Sequence, residues 1–399
     1  MKTTVMTRRM LLGTLISLAV GLGGCTAQAE SAQNEVVNTP KVRLLKTPNG
    51  GIQPQAALDS KGVMHLIYFK GNPLAGDLFY VRSMDGGSTF STPLRINSQP
   101  NSVIATGTIR GAQIAIGKDC RVHIAWNGSG VAEPRGAEGT PMLYTRLNDA
   151  GTDFEPQRNL ITWAGGLDGG GTLAADVKGH IYVAWHAAPK GKDEAARAIY
   201  LARSTDNGQT FTREKKINPQ PTGACGCCQM RALVDDKGAL YILYRAANNN
   251  IERDSTLLVS RDNGSSFEGT SLQPWNIMMC PMSSYSLAQN NTQIVAAWET
   301  KEQVYMATIQ PATTKFSTPV GAPGAAKARK HPIVLANEDG KVLFAWTEGT
   351  GWNRGGALAW QVYDTKGQPT DQKGREDGVP IWGLLSAIAH PDGKFTLLY

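Results

Sequence analysis

One pattern is written seven times along this chain, and it limits the possible folds more than any other feature. Each copy is a short apolar run, a turn rich in Asp, Asn, Gly or Lys, and a second apolar run ending on an aromatic residue. The copies cover 54–68, 112–126, 171–185, 231–244, 286–298, 332–346 and 386–399. They end on Tyr68, Trp126, Trp185, Tyr244, Trp298, Trp346 and Tyr399, at spacings of 58, 59, 59, 54, 48 and 53 residues. Short apolar runs bounded by turn residues read as strands, so each copy is a β-hairpin. A regular period of this size marks a repeat architecture, in which one unit buries its apolar face against the next. Composition agrees. With 41% hydrophobic and 18% charged residues among 399, the chain is neither disordered nor a coiled coil, and 44 glycines suit an all-β protein with many turns.

A second element follows most copies. Ser83–Phe90, Ser204–Phe211 and Ser260–Phe267 share the order Ser, Asp, Gly, hydroxyl residue, Phe, and Leu147–Phe154 is a degenerate version. The physics is that of a hairpin turn. Asp oxygens accept nearby backbone N–H groups, Gly supplies positive φ, and the aromatic packs back beneath. These segments resemble the Asp-box of BNR repeats, and residues 41–399 are similar to Asp-box β-propellers, the group that includes sialidases. The resemblance implies an all-β propeller of mainly four-stranded antiparallel blades. Seven hairpins favour seven blades, the last one short and completed by a strand at Val42–Lys46; six blades, as in sialidases, is the alternative. The Asp-boxes are read as structural.

The first forty residues read as an address. A basic stretch (1–9) precedes an apolar run (10–22) too short to span a bilayer and suited to a signal peptide. Leu22-Gly23-Gly24-Cys25 resembles a bacterial lipobox. It predicts a leader over 1–24, lipidation of Cys25, a flexible tether over 25–40 and an anchor in the cell envelope, at the outer membrane if there are two. Residues 7–12 also resemble a twin-arginine signal, leaving the export route open. Removing Lys2, Arg8 and Arg9 lowers the net charge of +7 by three, to +4. No basic run interleaves with aromatics, so nucleic acid is not an expected partner. The mature chain is expected to be a monomer.

In a propeller, the D-to-A connections of successive blades meet around the mouth of the central channel. Here they carry the unusual residues. Cys225, Cys227 and Cys228 lie on one such connection and Cys280 on the next, with Met230, Met278, Met279 and Met282 beside them. In an exported protein such cysteines are read as disulfides, for example Cys227–Cys280. The alternatives are a copper or zinc site formed by Cys225, Cys227, Cys228, Cys280 and Met282, because thiolates and thioethers select soft metals, or free redox thiols. Cys120 falls on an A–B turn at the opposite face.

The sialidase resemblance implies a second kind of site at the same mouth. Sialidases hold the substrate carboxylate with three arginines and use a Tyr nucleophile, a neighbouring Glu and an Asp acid/base. On this chain Arg110, Arg245 and Arg253 would be the cluster, Tyr285 the nucleophile, Glu299 its neighbour and Asp168 the acid. Asn127, His186, Arg245, Glu299 and Glu348 are read as a ring of residues following the B-strand aromatics. The chain departs from the pattern. The Arg-Ile-Pro motif is absent, and Thr108-Ile109-Arg110-Gly111 has the wrong order. Three readings follow: a sialidase-like protein acting on or binding glycans or acidic sugars, a copper- or zinc-binding propeller, and an interaction scaffold.

Overall fold

Alternating apolar runs and Gly-rich turns leave little sequence in which a helix could start. The computed structural model has strands and three short 3₁₀ turns, with no α-helix, among the residues it describes: 42–136, 138–290 and 293–399. The leader, Cys25 and the tether lie outside these. Blade 1 has strands Ile52–Leu58, Met64–Asn72, Ala75–Ser83 and Leu94–Arg95, paired in sequence order from A to D. Blades 2 to 6 repeat that order, with inner strands Gln113–Ile116, Thr172–Ala175, Arg231–Val234, Ser286–Gln289 and Arg329–Ala336. Inner strands of neighbouring blades touch in cyclic order, and blade 7 touches blade 1. The molecule is a seven-bladed β-propeller, so the six-bladed alternative falls.

Blade 7 closes the ring with three strands. Ser386–Ala389 pairs antiparallel with Phe395–Leu398, which pairs parallel with Val42–Leu45. The parallel sense follows from direction. Every A strand starts at the mouth, so the strand feeding blade 1 must run towards the mouth, as B strands do. Thr47 N and Oγ1 donate to the carbonyl of Tyr399 at 2.7 and 2.9 Å, and Tyr399 N donates to Leu45 O at 3.1 Å.

The core lies between the blades. B strands such as Val122–Asn127, Ile181–Ala187 and Leu240–Arg245 are buried on both faces because each blade is covered by two others. Trp126, Trp185 and Trp298 are completely buried. Most D strands are only two residues long, which blunts the exposed sheet edge.

Two features at the rim and axis position the rest. In the turn after Ser83, the Ser83 hydroxyl donates to Asp85 and accepts from Gly87 N, both at 2.7 Å. The Asp85 carboxylate accepts from the backbone of Ser88 and Thr89. The turns after Ser204 and Ser260 repeat this geometry. An arginine of the preceding blade caps each one: Arg43 on Gly86 O, Arg146 on Asn207 O and Arg203 on Asn263 O. At the axis, one level of the inner strands presents Gln55, Gln113, Thr172, Arg231, Ser286, Ile333 and Ser386. The hydroxyls of Thr172, Ser286 and Ser386 accept from the next inner strand, at Ala232, Val334 and Ala56 N. Arg231 Nη1 donates to Gln113 and Gln55 Oε1 at 2.7 and 2.9 Å. Burial lowers its pKa to about 10.

Candidate functional site

The connection into blade 4 turns back on itself at the mouth. Cys228 N donates to Cys225 O, Cys225 N to Arg245 O, and Gln229 N to Ser283 O of the next connection. This turn stacks three thiols. Cys225 Sγ lies 3.3 Å from Cys227 Sγ and 3.1 Å from Cys228 Sγ, and all three residues are buried. Cys280 reaches over from the connection into blade 5. Its Sγ, the Cys227 Sγ and a Glu194 carboxylate oxygen lie within 4.8 Å of one another. Cys280 is exposed, and the described cysteines are all free thiols. Met282 packs on the cluster together with Ile109 and Ala247. The backbones close in tightly. A Cβ at Gly169 would collide with Gly226 O and lie 3.2 Å from Cys228 O.

Cations surround the sulfurs. Glu194 sits in a 3₁₀ turn, Glu194–Ala196, started by Asp193. Its carboxylate takes Gly226 N at 2.8 Å, Arg253 Nη1 at 2.6 Å and Arg197 Nη1 at 3.5 Å. Arg245 is buried, with Trp275 and Tyr285 rings 5.0 and 5.5 Å from its guanidinium carbon. Burial alone would push the Cys228 thiol up. Hydrogen bonds from Cys225 and Cys227 and the charge of Arg245 outweigh it, holding Cys228 well below the ordinary thiol range. Cys225 is driven up by burial, and Cys227 chiefly by its contact with Cys225. Cys225 Sγ is the central sulfur of the three, in contact with both of the others.

The sialidase-type residues stand at the same mouth, but each is used by the protein itself. Arg110 is bound to Asp168, Nη2 to Oδ1 at 2.7 Å and Nε to the carbonyl at 2.8 Å. Arg253 is held by Glu194. Arg245 donates to the carbonyls of Arg253 and Glu299 at 2.8 and 2.6 Å. The three arginines do not converge as a free cluster, because their guanidiniums meet nearby carbonyls and carboxylates first. Tyr285 is buried, and its hydroxyl is 3.4 Å from Ser255 Oγ, with no hydrogen bond to Glu299. Glu299 is buried 3.6 Å from Lys330, and burial raises its pKa despite that cation. The nucleophile–carboxylate pair expected from the resemblance is not assembled. Asp168, half-exposed, keeps its partner Arg110.

Glu348 also needs correcting. The residue equivalent to Asn127, His186, Arg245 and Glu299 is Thr347, and one step along a strand sends a side chain to the other face. Glu348 accordingly binds Trp346 Nε1, Arg329 and Arg375. Glu194 escaped the sequence reading. Its signal was its place on the B-to-C connection of blade 3, beside the cysteine loop. His186 is wholly buried, with neither ring nitrogen hydrogen-bonded, and burial lowers its pKa to about 4. Trp352 and Trp382 form an edge-on pair at the mouth, centroids 6.3 Å apart, and Trp352 is 58% exposed.

No protein-family model and no curated protein matches this chain. Among solved structures it is similar to a protein of unknown function from Dyadobacter fermentans, at 15% identity and TM-score 0.51, over 75% of this chain and 90% of that one. It is also similar to a Hadza microbial sialidase, at 12% identity and TM-score 0.51, over 79% of this chain and 66% of that one. A Trypanosoma rangeli sialidase matches at 14% identity and TM-score 0.51, over 79% of this chain and 55% of that one. The chain thus spans about two thirds or less of these sialidases. At such identities the likeness is one of fold alone, that of a β-propeller.

Proposed function

We propose that the protein binds one soft metal ion at the mouth of the propeller, through Cys225, Cys227 and Cys228, with Cys280 as the ligand on the open side. One observation carries this reading: the buried sulfurs of Cys227 and Cys228 lie 3.3 and 3.1 Å from that of Cys225, with a fourth thiol, Cys280, within 4.8 Å of Cys227. A tetrahedral zinc with sulfur at about 2.3 Å needs sulfurs about 3.8 Å apart, so metal uptake would spread the cluster by roughly half an ångström. Copper and zinc both suit this donor set. The test is metal analysis of the reduced protein, prepared without oxygen. About one equivalent is expected, and it should be lost when Cys225, Cys227 and Cys228 are all replaced by Ser. A native disulfide within the cluster together with no metal uptake would overturn the reading.

A second reading is glycan binding at the same mouth. It is favoured by the Trp352–Trp382 pair, whose exposed ring offers a stacking face, and by the fold. A hydrolytic version requires the arginines to leave their present partners. Loss of glycan retention in Trp352→Ala, measured by affinity electrophoresis, would support binding; an unchanged profile would count against it.

The anchor belongs to the same reading. Cleavage before Cys25 and lipidation of its sulfur would hold a monomeric propeller on the envelope, facing small ligands rather than nucleic acid. Cys25→Ser should give soluble or uncleaved protein, and unchanged membrane attachment of a cleaved chain would count against the anchor.

A further inference from the structure

The methionines beside Cys280 are in the wrong place for packing. Met278 is 84% exposed and Met279 is 65% exposed, although methionine is normally a buried residue. They directly precede Cys280 on the connection Met278–Ser283, and Met282, at the far end of the same loop, packs on the buried thiols. Donor sulfurs therefore run from solvent inwards: two exposed thioethers, the exposed Cys280, Cys227 at the boundary, then the buried Cys225 and Cys228. Thioethers select monovalent copper and are poor ligands for zinc. Methionine's flexible, unbranched side chain suits a moving ligand.

Neither group of close-set ligand atoms among the described residues contains an imidazole.

Resting on the metal reading above, we infer that the ion is Cu(I) and that Met278 and Met279 form a lip that receives it and passes it through Cys280 to the buried thiols. The transfer is ligand exchange. Copper stays in the +1 state, each new Cu–S bond replaces one to the donor, and each thiol that binds releases its proton to water.

The test uses the soluble Cys25→Ser chain, reduced and free of oxygen, titrated with Cu(I)–bicinchoninate and separately with zinc. One Cu(I) should be bound and retained in excess zinc, with X-ray absorption showing sulfur ligands only. The double variant M278L/M279L keeps the apolar character of two exposed positions. It should bind Cu(I) with unchanged affinity but acquire it about tenfold more slowly, the scale on which groups beyond the ligands act. Tight zinc that Cu(I) does not displace would overturn the copper inference and leave the metal reading standing. No metal of either kind would end both. Copper uptake at the unaltered rate in the leucine variant would overturn the lip.

Discussion

At the scale of single residues, the cysteine cluster depends on a group that is missing. Gly169 has no side chain to offer, yet it lets one connection lie against the backbone of the next at Gly226 and Cys228. Gly169→Ala should push the thiol turn away from blade 3. It should weaken metal retention and cost about 1–3 kcal/mol, the usual effect of overpacking, read as a lower denaturant midpoint. Buried histidines set the response to acid. His123 is held at a pKa of about 3 by burial, helped by the charges of Arg121 and Arg146; Tyr144 bonds its Nδ1. Unfolded, the same ring titrates near 6.5. Between those values the unfolded chain carries the extra proton, so stability is complete above about 6.5 and falls as the pH drops towards 3. His186 and His331 act with the same sign. Replacing His123 with Gln should remove about one proton from the slope of stability against pH, measured by urea unfolding at stepped pH. Repeat position alone placed Arg110, Arg245, Arg253, Asp168, Tyr285 and Glu299 at the mouth. What each side chain binds was not legible. That Arg245 would lie beneath Trp275 and Tyr285 depends on rotamers and on loops from three segments, which no spacing encodes.

At the scale of elements, the hairpins were plain because their signals are local: a period of two in apolar residues and turn residues at set offsets. The Ser-Asp-Gly turns were equally plain, but their capping arginines were not, since each comes from the preceding blade, 43, 61 and 60 residues away. Two substitutions separate the turn's own bonds from that packing. Asp206→Ala removes acceptors for Thr210 N and the Thr210 hydroxyl and should cost about 1 kcal/mol. Gly208→Ala should cost more, because φ is +80° there and the new Cβ would strike the Tyr144 hydroxyl of blade 2. Chemical denaturation of the pair ranks them, and the opposite order would show that the turn is held mainly by its own hydrogen bonds.

At the scale of the whole molecule, ring closure is the decisive joint. A strand at Val42–Lys46 completing the last blade was readable from the surplus of hairpins over C–D segments. Its parallel direction follows only once the mouth is known. Burial of Val42 and the bonds from Thr47 to Tyr399 make this joint cooperative with the rest. Val42→Asp places a charge in that seam and should lower the melting temperature while leaving far-ultraviolet circular dichroism at low temperature unchanged. A second, separate melting step would show instead that blade 7 unfolds by itself.

Arg231 gives the axis a direction. Its guanidinium stands just inside the cysteine turn, bonded to two neutral amides, with no carboxylate within ion-pairing distance among the described residues. Even with its pKa lowered to about 10 it stays charged at neutral pH. A fixed positive charge at the axis repels other cations. On the proposed metal reading, an ion at the thiols would meet a floor beneath them and would leave by the opening through which it arrived. For anions the same residue is an attraction. To a cation such a ring would be a vessel with one opening, entered and left past the same few side chains at its rim.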